Sequence, residues 1–465
     1  MAAGIRFHGT VCPVFCGVIL GLAAFFCHPL SFAQQHEPSL AATPPMGWNS
    51  WDSYGTTVTE EQIKANADWM AAHLKQIGWQ YITVDMEWFV KNPVPEGNAH
   101  DSLYSLDAFG RYTPSPNRFP SAQGDGGFKP LADYVHGLGL KFGIHILQGI
   151  PKQAVEQNTA IEGTPSLHAR DAANTAGTCV WNFDNYDLKN TAAGQAYYDS
   201  IARLYASWGV DLIKVDCIAT HPYKGDEIRM LSEAIRKTGR PIVLSLSPGP
   251  APLEKLDEMR AHAQMWRISN DTWDLWHSSE IYPQGVDDQF RRAEAWAALS
   301  EPGHWPDADM LPLGYLGPAP GWGKARQTQL THDEQKTLLT LWAMMRSPMM
   351  MGGDLPHSDA WTTSLLTNRD AFEVDQHSIG NHVATHGEDT IVWTAKSTTS
   401  DKQYVAVFNT GAGDRNIKYV WKDLGLAEGP YRLRDLWEGK DLGEARDLQV
   451  AVPSHGTALF ALTRP

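Results

Sequence analysis

"GVDLIKVDCIA", residues 209–219, sets two charged side chains, Lys214 and Asp216, within the apolar run that follows Asp211. The run has the length and β-branched content of a strand buried on both faces. Side chains two apart on a strand point to the same side, so Lys214 and Asp216 face one way and Cys217 the other. Two charges sharing a face of a buried strand need a polar place to point, and the rest of the chain shows where it is.

The run follows a helical pattern, "YYDSIARLYASWG", closed by a glycine. The same order recurs. "YITVDMEWF" from Tyr81 follows a helix with apolar Ile63, Ala67, Met70, Leu74 and Ile77 at three-to-four spacing. "LKFGIHIL" from Leu140 follows "FKPLADYVHGLG", and "PIVLSLSPG" from Pro241 follows "EIRMLSEAIRKTG". "PMGWNSW", "MWRISND", "GHWPDADM" and "SPMMMGGDL" complete eight strand candidates. Continuous apolar strands alternating with helices predict a parallel sheet covered on both faces. Eight units, with no glycine-rich nucleotide fingerprint after the first, predict a (β/α)8 TIM barrel over residues 43–378 rather than an open doubly wound sheet. Beyond it, "HVATHGEDTIVWTAKS", "QYVAVFNTG", "GPYRLRDLWEGK" and "ALFALT" alternate apolar and polar residues with no helix between them. Residues 379–465 therefore read as a small C-terminal antiparallel β-sandwich domain, packed on the barrel.

The formal charge of −15 sets the surface against nucleic acid and anionic membranes, while a neutral substrate meets no such repulsion. Residues 1–33 hold one charged side chain, Arg6, then an apolar segment from Val11 to Phe26 and "SFA" before Gln34. That is the three-part form of a secretory signal, shorter than the ~20 residues of a spanning helix. The expectation is a secreted or periplasmic protein, cut after Ala33, with 34–42 as an N-terminal extension. The cut removes Cys12, Cys16 and Cys27, leaving Cys179 and Cys217. One disulfide is allowed, and the sequence does not decide whether it forms.

Barrel enzymes build their sites at the C-terminal ends of the strands. Collected there are Trp48, Trp51, Asp85, Glu87, Trp88, His145, Lys214, Asp216, Ser247, Arg267, Asp271, Asp307 and Asp309. Any one of them serves equally well as an ion-pair partner or a helix cap. As a set they describe a sugar site: carboxylates accept hydroxyl protons, and indole faces stack on the C–H faces of a pyranose. "HWPDADM" offers His304, Asp307 and Asp309 but neither the spaced acidic loop of a calcium hand nor paired zinc histidines, so no metal is expected. Ser247 and His145 lack the G-x-S-x-G elbow of acyl transfer.

The Lys214 ammonium keeps Asp216 ionised, which suits attack on an anomeric carbon. Asp271 ends its strand beside Trp266 and Trp273, apolar surroundings that favour a neutral acid able to protonate a leaving oxygen. Retention needs two carboxyls ~5 Å apart, which strands four and six of a narrow barrel can supply, and inversion stays open on these grounds.

"PPMGWNSWDSYG", "IKVDC", "WRISNDTWD", "GHWPDADML" and "SPMMMGGDL", in this order from about Thr43 to Gln376, resemble the signature segments of glycoside hydrolase family 27, the α-galactosidase and α-N-acetylgalactosaminidase family of the melibiase clan. The resemblance implies a (β/α)8 barrel, no cofactor, and retaining double displacement with Asp216 as nucleophile and Asp271 as acid/base. Lys214, Arg267, Asp85, Trp51 and Asp309 match sugar-contacting positions, and Glu87, His145 and Ser247 join them as expected substrate contacts. The expected substrate is a small molecule or oligosaccharide ending in a galactose-configured sugar.

Three departures bear on which sugar. The family's two adjacent aspartates after strand two are here Asp85 and Met86, with Glu87 next. Its tyrosine at the end of strand three is His145, followed by a long insertion over 148–190, in which Lys152, Trp181 and Asp184 either rebuild the pocket or merely cover it. Ser247 stands where galactosidases tend to carry a glutamate, although Pro250 fits neither family version. A terminal α-D-galactoside is the leading expectation. A β-L-arabinopyranoside, which has the same ring stereochemistry without the hydroxymethyl group, and an N-acetyl-α-galactosaminide are the alternatives. A catalytically silent sugar binder is disfavoured because it needs no acid opposite a nucleophile.

Overall fold

The computed structural model describes residues 40–94 and 101–465. The expected leader over 1–33, its cut site and most of the 34–42 extension lie outside the described residues.

All eight strand candidates form one parallel sheet. In chain order they are β1 (Met46–Asn49), β2 (Tyr81–Val84), β3 (Lys141–Leu147), β4 (Leu212–Asp216), β5 (Val243–Leu246), β6 (Met265–Arg267), β7 (Trp305–Asp307) and β8 (Met349–Met351). Each pairs with its neighbours in sequence, and β8 returns to β1 with Met349 opposite Met46. The circle closes where Leu311, just past β7, bridges to Met351 and donates its N–H to Met350 O at 2.7 Å. The sheet is therefore a barrel.

The local causes are ordinary. Ile82, Val84, Ile144, Ile213, Val215, Leu244 and Leu246 are buried, as strands lying between a packed interior and a helical shell require. The helix Glu60–His73 starts with a capping box in which Gln62 N donates to Thr59 Oγ1 and Thr59 N to Gln62 Oε1, and it buries Ile63, Ala67 and Met70. Gly47 lies so close to β2 that a Cβ there would sit 2.5 Å from Tyr81 O. Inside the barrel Tyr81, Leu212, Val243, Met265, Met310 and Met350 form an apolar plug.

After β3 the insertion folds on itself. Ile150–Pro151, Asn185–Leu188 and Ala173–Thr178 pair in that order as a three-stranded sheet. Cys179 is disulfide-bonded to Cys217, with Cα atoms 5.6 Å apart, which settles the pairing that the sequence left open.

The tail has a six-stranded antiparallel sheet and a two-stranded one, Arg415–Val420 with Asp447–Val452. Val405, Val407, Trp421, Leu448 and Phe460 fill the space between them. Phe408 packs edge-on against Phe290 at 5.1 Å, and Trp437 Nε1 donates to Thr340 Oγ1 at 2.9 Å. These contacts dock the tail on barrel helices, His455 also stacks on Trp276 of the loop after β6, and the two parts make one compact unit. Among the described residues no helix is long and apolar enough to cross a membrane.

Candidate active site

A cavity of about 790 Å³ opens at the C-terminal ends of the strands, roomy enough for a sugar and part of its leaving group. Lys214 and Asp216 line it, since residues 214 and 216 face inward at the end of β4.

Asp85, just beyond β2, is the most heavily hydrogen-bonded carboxylate in the wall. Lys214 Nζ donates to its Oδ2 at 2.9 Å, Asn49 Nδ2 to the same oxygen at 2.7 Å, and Met86 N to Oδ1 at 2.9 Å. Burial alone would push the Asp85 carboxyl up, but the Lys214 charge and these donors hold it well below the usual range. Asp216 is also buried, and there too hydrogen bonding outweighs desolvation. His145 Nε2 meets Oδ2 at 3.2 Å and Cys217 N donates to Oδ1 at 2.8 Å, so with the Lys214 charge its pKa is lowered. The carboxylate is ionised and fixed in direction.

Asp271 stands in the cavity wall with its side chain 30% exposed, accepting from Arg267 Nη2 at 3.1 Å. The tryptophans expected to surround it are elsewhere. Trp266 is fully buried against Trp296 and His304, and Trp273 packs on Trp322 and under the Arg326 guanidinium. Its environment is ionic instead of apolar. Arg267 Nη1 also pairs with Asp309 at 2.8 Å, while Asp309 accepts from Thr272 N and donates its own N–H to Asp307 Oδ1. Burial raises the pKa of Asp309, Asp307 and Asp52, and neighbouring carboxylates add to the rise at Asp309 and Asp52. The Arg267 and Lys214 charges oppose the rise at Asp309 and Asp307.

Trp51 and Ser247 line the cavity. The Trp51 indole lies so close to Gly321 that a Cβ there would approach to 2.2 Å, so this glycine permits the position of the ring. His145, Arg267 and Asp309, expected to touch sugar, are almost wholly buried behind the lining residues; His145 meets Asp216, and Arg267 pairs with Asp271 and Asp309. His304, Asp307 and Asp309 do not converge: the His304 ring bonds Ala263 O, and the two carboxylates serve the Arg267 network. Trp48 and Trp88 are fully buried, their indole N–H groups donating to Gly353 O and His145 O.

Glu87 requires a correction. It was expected as a sugar contact, but its backbone is left-handed, with φ 61°, which breaks the strand alternation and turns the side chain into the protein. It has no exposed surface. Its place is not empty of consequence, because Met86 itself forms part of the wall beside Asp85.

Tyr104 and Tyr282 carried no sequence signal: they line the cavity from connecting loops without periodicity or motif. Asn270 also lines the cavity; it was within sight beside Asp271, but a neighbouring position does not mark a side chain as facing a cavity.

Comparison with known proteins gives this geometry a lineage. The chain matches two family profiles, "Alpha galactosidase A" over residues 186–377 and "Alpha galactosidase C-terminal beta sandwich domain" over 387–462. It is 28% identical to α-galactosidase 2 of Arabidopsis thaliana over 435 residues, covering 91% of this chain and 90% of that protein. It is 26% identical to the α-N-acetylgalactosaminidase of Gallus gallus, covering 87% and 88%. Among solved structures, the GH27 β-L-arabinopyranosidase of Geobacillus stearothermophilus superposes with a TM-score of 0.87 at 45% identity, covering 91% of this chain and 97% of that one. A variant of the same enzyme in complex with arabinose gives 0.88, covering 93% and 100%. With likeness at that identity over nearly the full length of both chains, this protein is a glycoside hydrolase and belongs to family 27.

Proposed function

We propose that the protein is a retaining exo-glycosidase that removes terminal β-L-arabinopyranosyl units, with α-D-galactosides as slower substrates. Met86 carries this reading. It puts a thioether in the cavity wall directly after the ion-paired Asp85, and a hydroxymethyl group buried against it would lose its hydrogen bonds. A ring of galactose stereochemistry without that group suffers no such loss. The 45% identity to a β-L-arabinopyranosidase supports the same substrate.

In the reaction, an Asp216 oxygen attacks the anomeric carbon as the bond to the leaving oxygen breaks, and Asp271 delivers a proton to that oxygen. The glycosyl ester is then hydrolysed by water whose proton returns to Asp271, and two inversions give net retention. His145 and Cys217 N–H keep Asp216 aimed, and Arg267 keeps Asp271 facing the cavity. Export by the leader over 1–33 is part of the proposal, supported by the Cys179–Cys217 disulfide, which persists in oxidising compartments. N-terminal sequencing of the exported protein, expected to begin at Gln34, tests that part.

Rates on nitrophenyl β-L-arabinopyranoside, α-D-galactoside and N-acetyl-α-galactosaminide test the substrate. The arabinopyranoside is expected to lead in kcat/KM by about tenfold or more. A lead for either other substrate overturns the assignment.

A further inference from the structure

Met86 leaves the wall beyond Asp85 without a carboxylate, yet the same cavity receives one from the insertion. Asp184 lines it and is only 7% exposed. Its partner Tyr104 bridges to Val90, four residues beyond Met86, which places it on the β2 side of the site. Tyr104 OH donates to Asp184 Oδ1, and among the described residues Asp184 Oδ2 has no hydrogen-bond partner. A buried carboxylate oxygen without a donor is costly, and burial raises the pKa of this group even though Tyr104 and Asn182 oppose the rise.

The segment that carries Asp184 is clamped at both ends. Cys179 is bonded to Cys217, the residue after Asp216. On the other side Asn185 pairs with Pro151, donates Nδ2 to Gln148 O at 2.8 Å and accepts from Tyr112 OH at 2.9 Å. Asp184 N donates to Asn182 Oδ1, and Lys152 N to Asp184 O, both at 2.9 Å. A side chain held by this many bonds is preorganised, as a specificity contact requires.

We infer that Asp184 is a specificity-determining residue of the sugar pocket, whose free carboxylate oxygen accepts a ring hydroxyl of the bound pyranoside on the side where Met86 offers no acceptor. This rests on the pyranoside reading of the cavity given above. The insertion then supplies from β3 what the end of β2 lacks, and Tyr104 is the positioning residue that orients the carboxylate.

The test uses the full chain with nitrophenyl β-L-arabinopyranoside and its 2-, 3- and 4-deoxy analogues, on wild type, Asp184→Ala, Asp184→Asn and Tyr104→Phe. In the wild type, one deoxy analogue is expected to lose about 10²-fold in kcat/KM through the missing charged hydrogen bond. In Asp184→Ala the same analogue and the parent substrate are expected to react at rates within about threefold, because the partner is gone. Tyr104→Phe is expected to raise KM more than it lowers kcat. If the alanine variant does not fold, the isosteric Asp184→Asn carries the same comparison. Equal deoxy penalties in wild type and variant overturn the assignment while leaving the glycosidase intact. A wild type inactive on every pyranoside overturns both.

Discussion

The Lys214 ammonium donates to Asp85 Oδ2 across 2.9 Å and so ties the end of β4 to the end of β2, over the intervening β3. Burial would raise the Asp85 pKa and lower that of Lys214. Their mutual attraction outweighs burial in both, so Asp85 lies below its usual range and Lys214 above. Under the proposed function the pair presents fixed donors and acceptors to sugar hydroxyls without reorganisation on binding.

Lys214→Met leaves Asp85 with Asn49 and one backbone N–H as donors. kcat/KM is expected to fall by about 10²-fold or more, and stability by about 3 kcal/mol at pH 7, through an uncompensated buried charge. The depressed carboxyl contributes stability above its unfolded pKa of ~3.9 and loses it as pH falls through the folded value. In the variant Asp85 can neutralise itself by taking a proton, so the stability gap between the two proteins narrows from pH 7 to pH 4. Urea denaturation at the two pH values checks this.

Asp216→Gly removes the attacking oxygen. Turnover is expected to drop by several orders of magnitude, and azide to restore it by producing a glycosyl azide of inverted anomeric configuration. Near-normal turnover in this variant rejects the nucleophile assignment. Nuclear magnetic resonance of the azide product reads the configuration directly.

Met86→Asp gives the wall an acceptor at the position where a hydroxymethyl group would lie. The ratio of galactoside to arabinopyranoside kcat/KM is expected to rise by about tenfold or more, since a buried polar contact discriminates strongly between substrates that do and do not satisfy it. An unchanged ratio shows that position 86 does not read this part of the sugar. The measurement needs only the two nitrophenyl substrates.

The barrel was legible because its strands announce themselves: each is a short apolar run between a helical pattern and a polar end, and that order survives any detail of packing. Lys214 and Asp216 were legible for the same reason, since strand alternation fixes which way they face. Glu87 was not. A single left-handed residue there redirects the chain after Val84, and nothing in the sequence marks it. His145, Arg267 and Asp309 were found at the strand ends, where His145 meets Asp216 and Arg267 pairs with Asp271 and Asp309, but a strand-end position does not say which group a side chain meets. Tyr104 and Tyr282 lie on loops whose course depends on tertiary packing alone. The surroundings of Asp271 were misjudged because neighbours in sequence, Trp266 and Trp273, are not neighbours of its carboxylate.

Glu87 yields the last prediction. The Arg118 charge opposes the rise at Glu87, yet the guanidinium donates to the carbonyls of Thr56, Val58, Glu87 and Val90 and gives nothing to the Glu87 carboxyl, whose two oxygens have no partner among the described residues. Burial, reinforced by the Asp184 charge and opposed by Arg118, pushes its pKa to about 8, so the side chain is a neutral acid at pH 7. The unfolded chain releases that proton near pH 4.3, which means the native state binds more protons than the unfolded state between those values. Stability from this group therefore declines as pH rises from about 4 to about 8, by at most ~1.4 kcal/mol per unit. Glu87→Gln keeps the neutral shape and cannot ionise. Its Tm relative to wild type is expected to climb steadily across that window and level off above pH 8, because there the native Glu87 ionises as well. Thermal melts at pH 5, 6, 7 and 8 follow the difference, and a flat difference rules out a buried neutral acid at position 87.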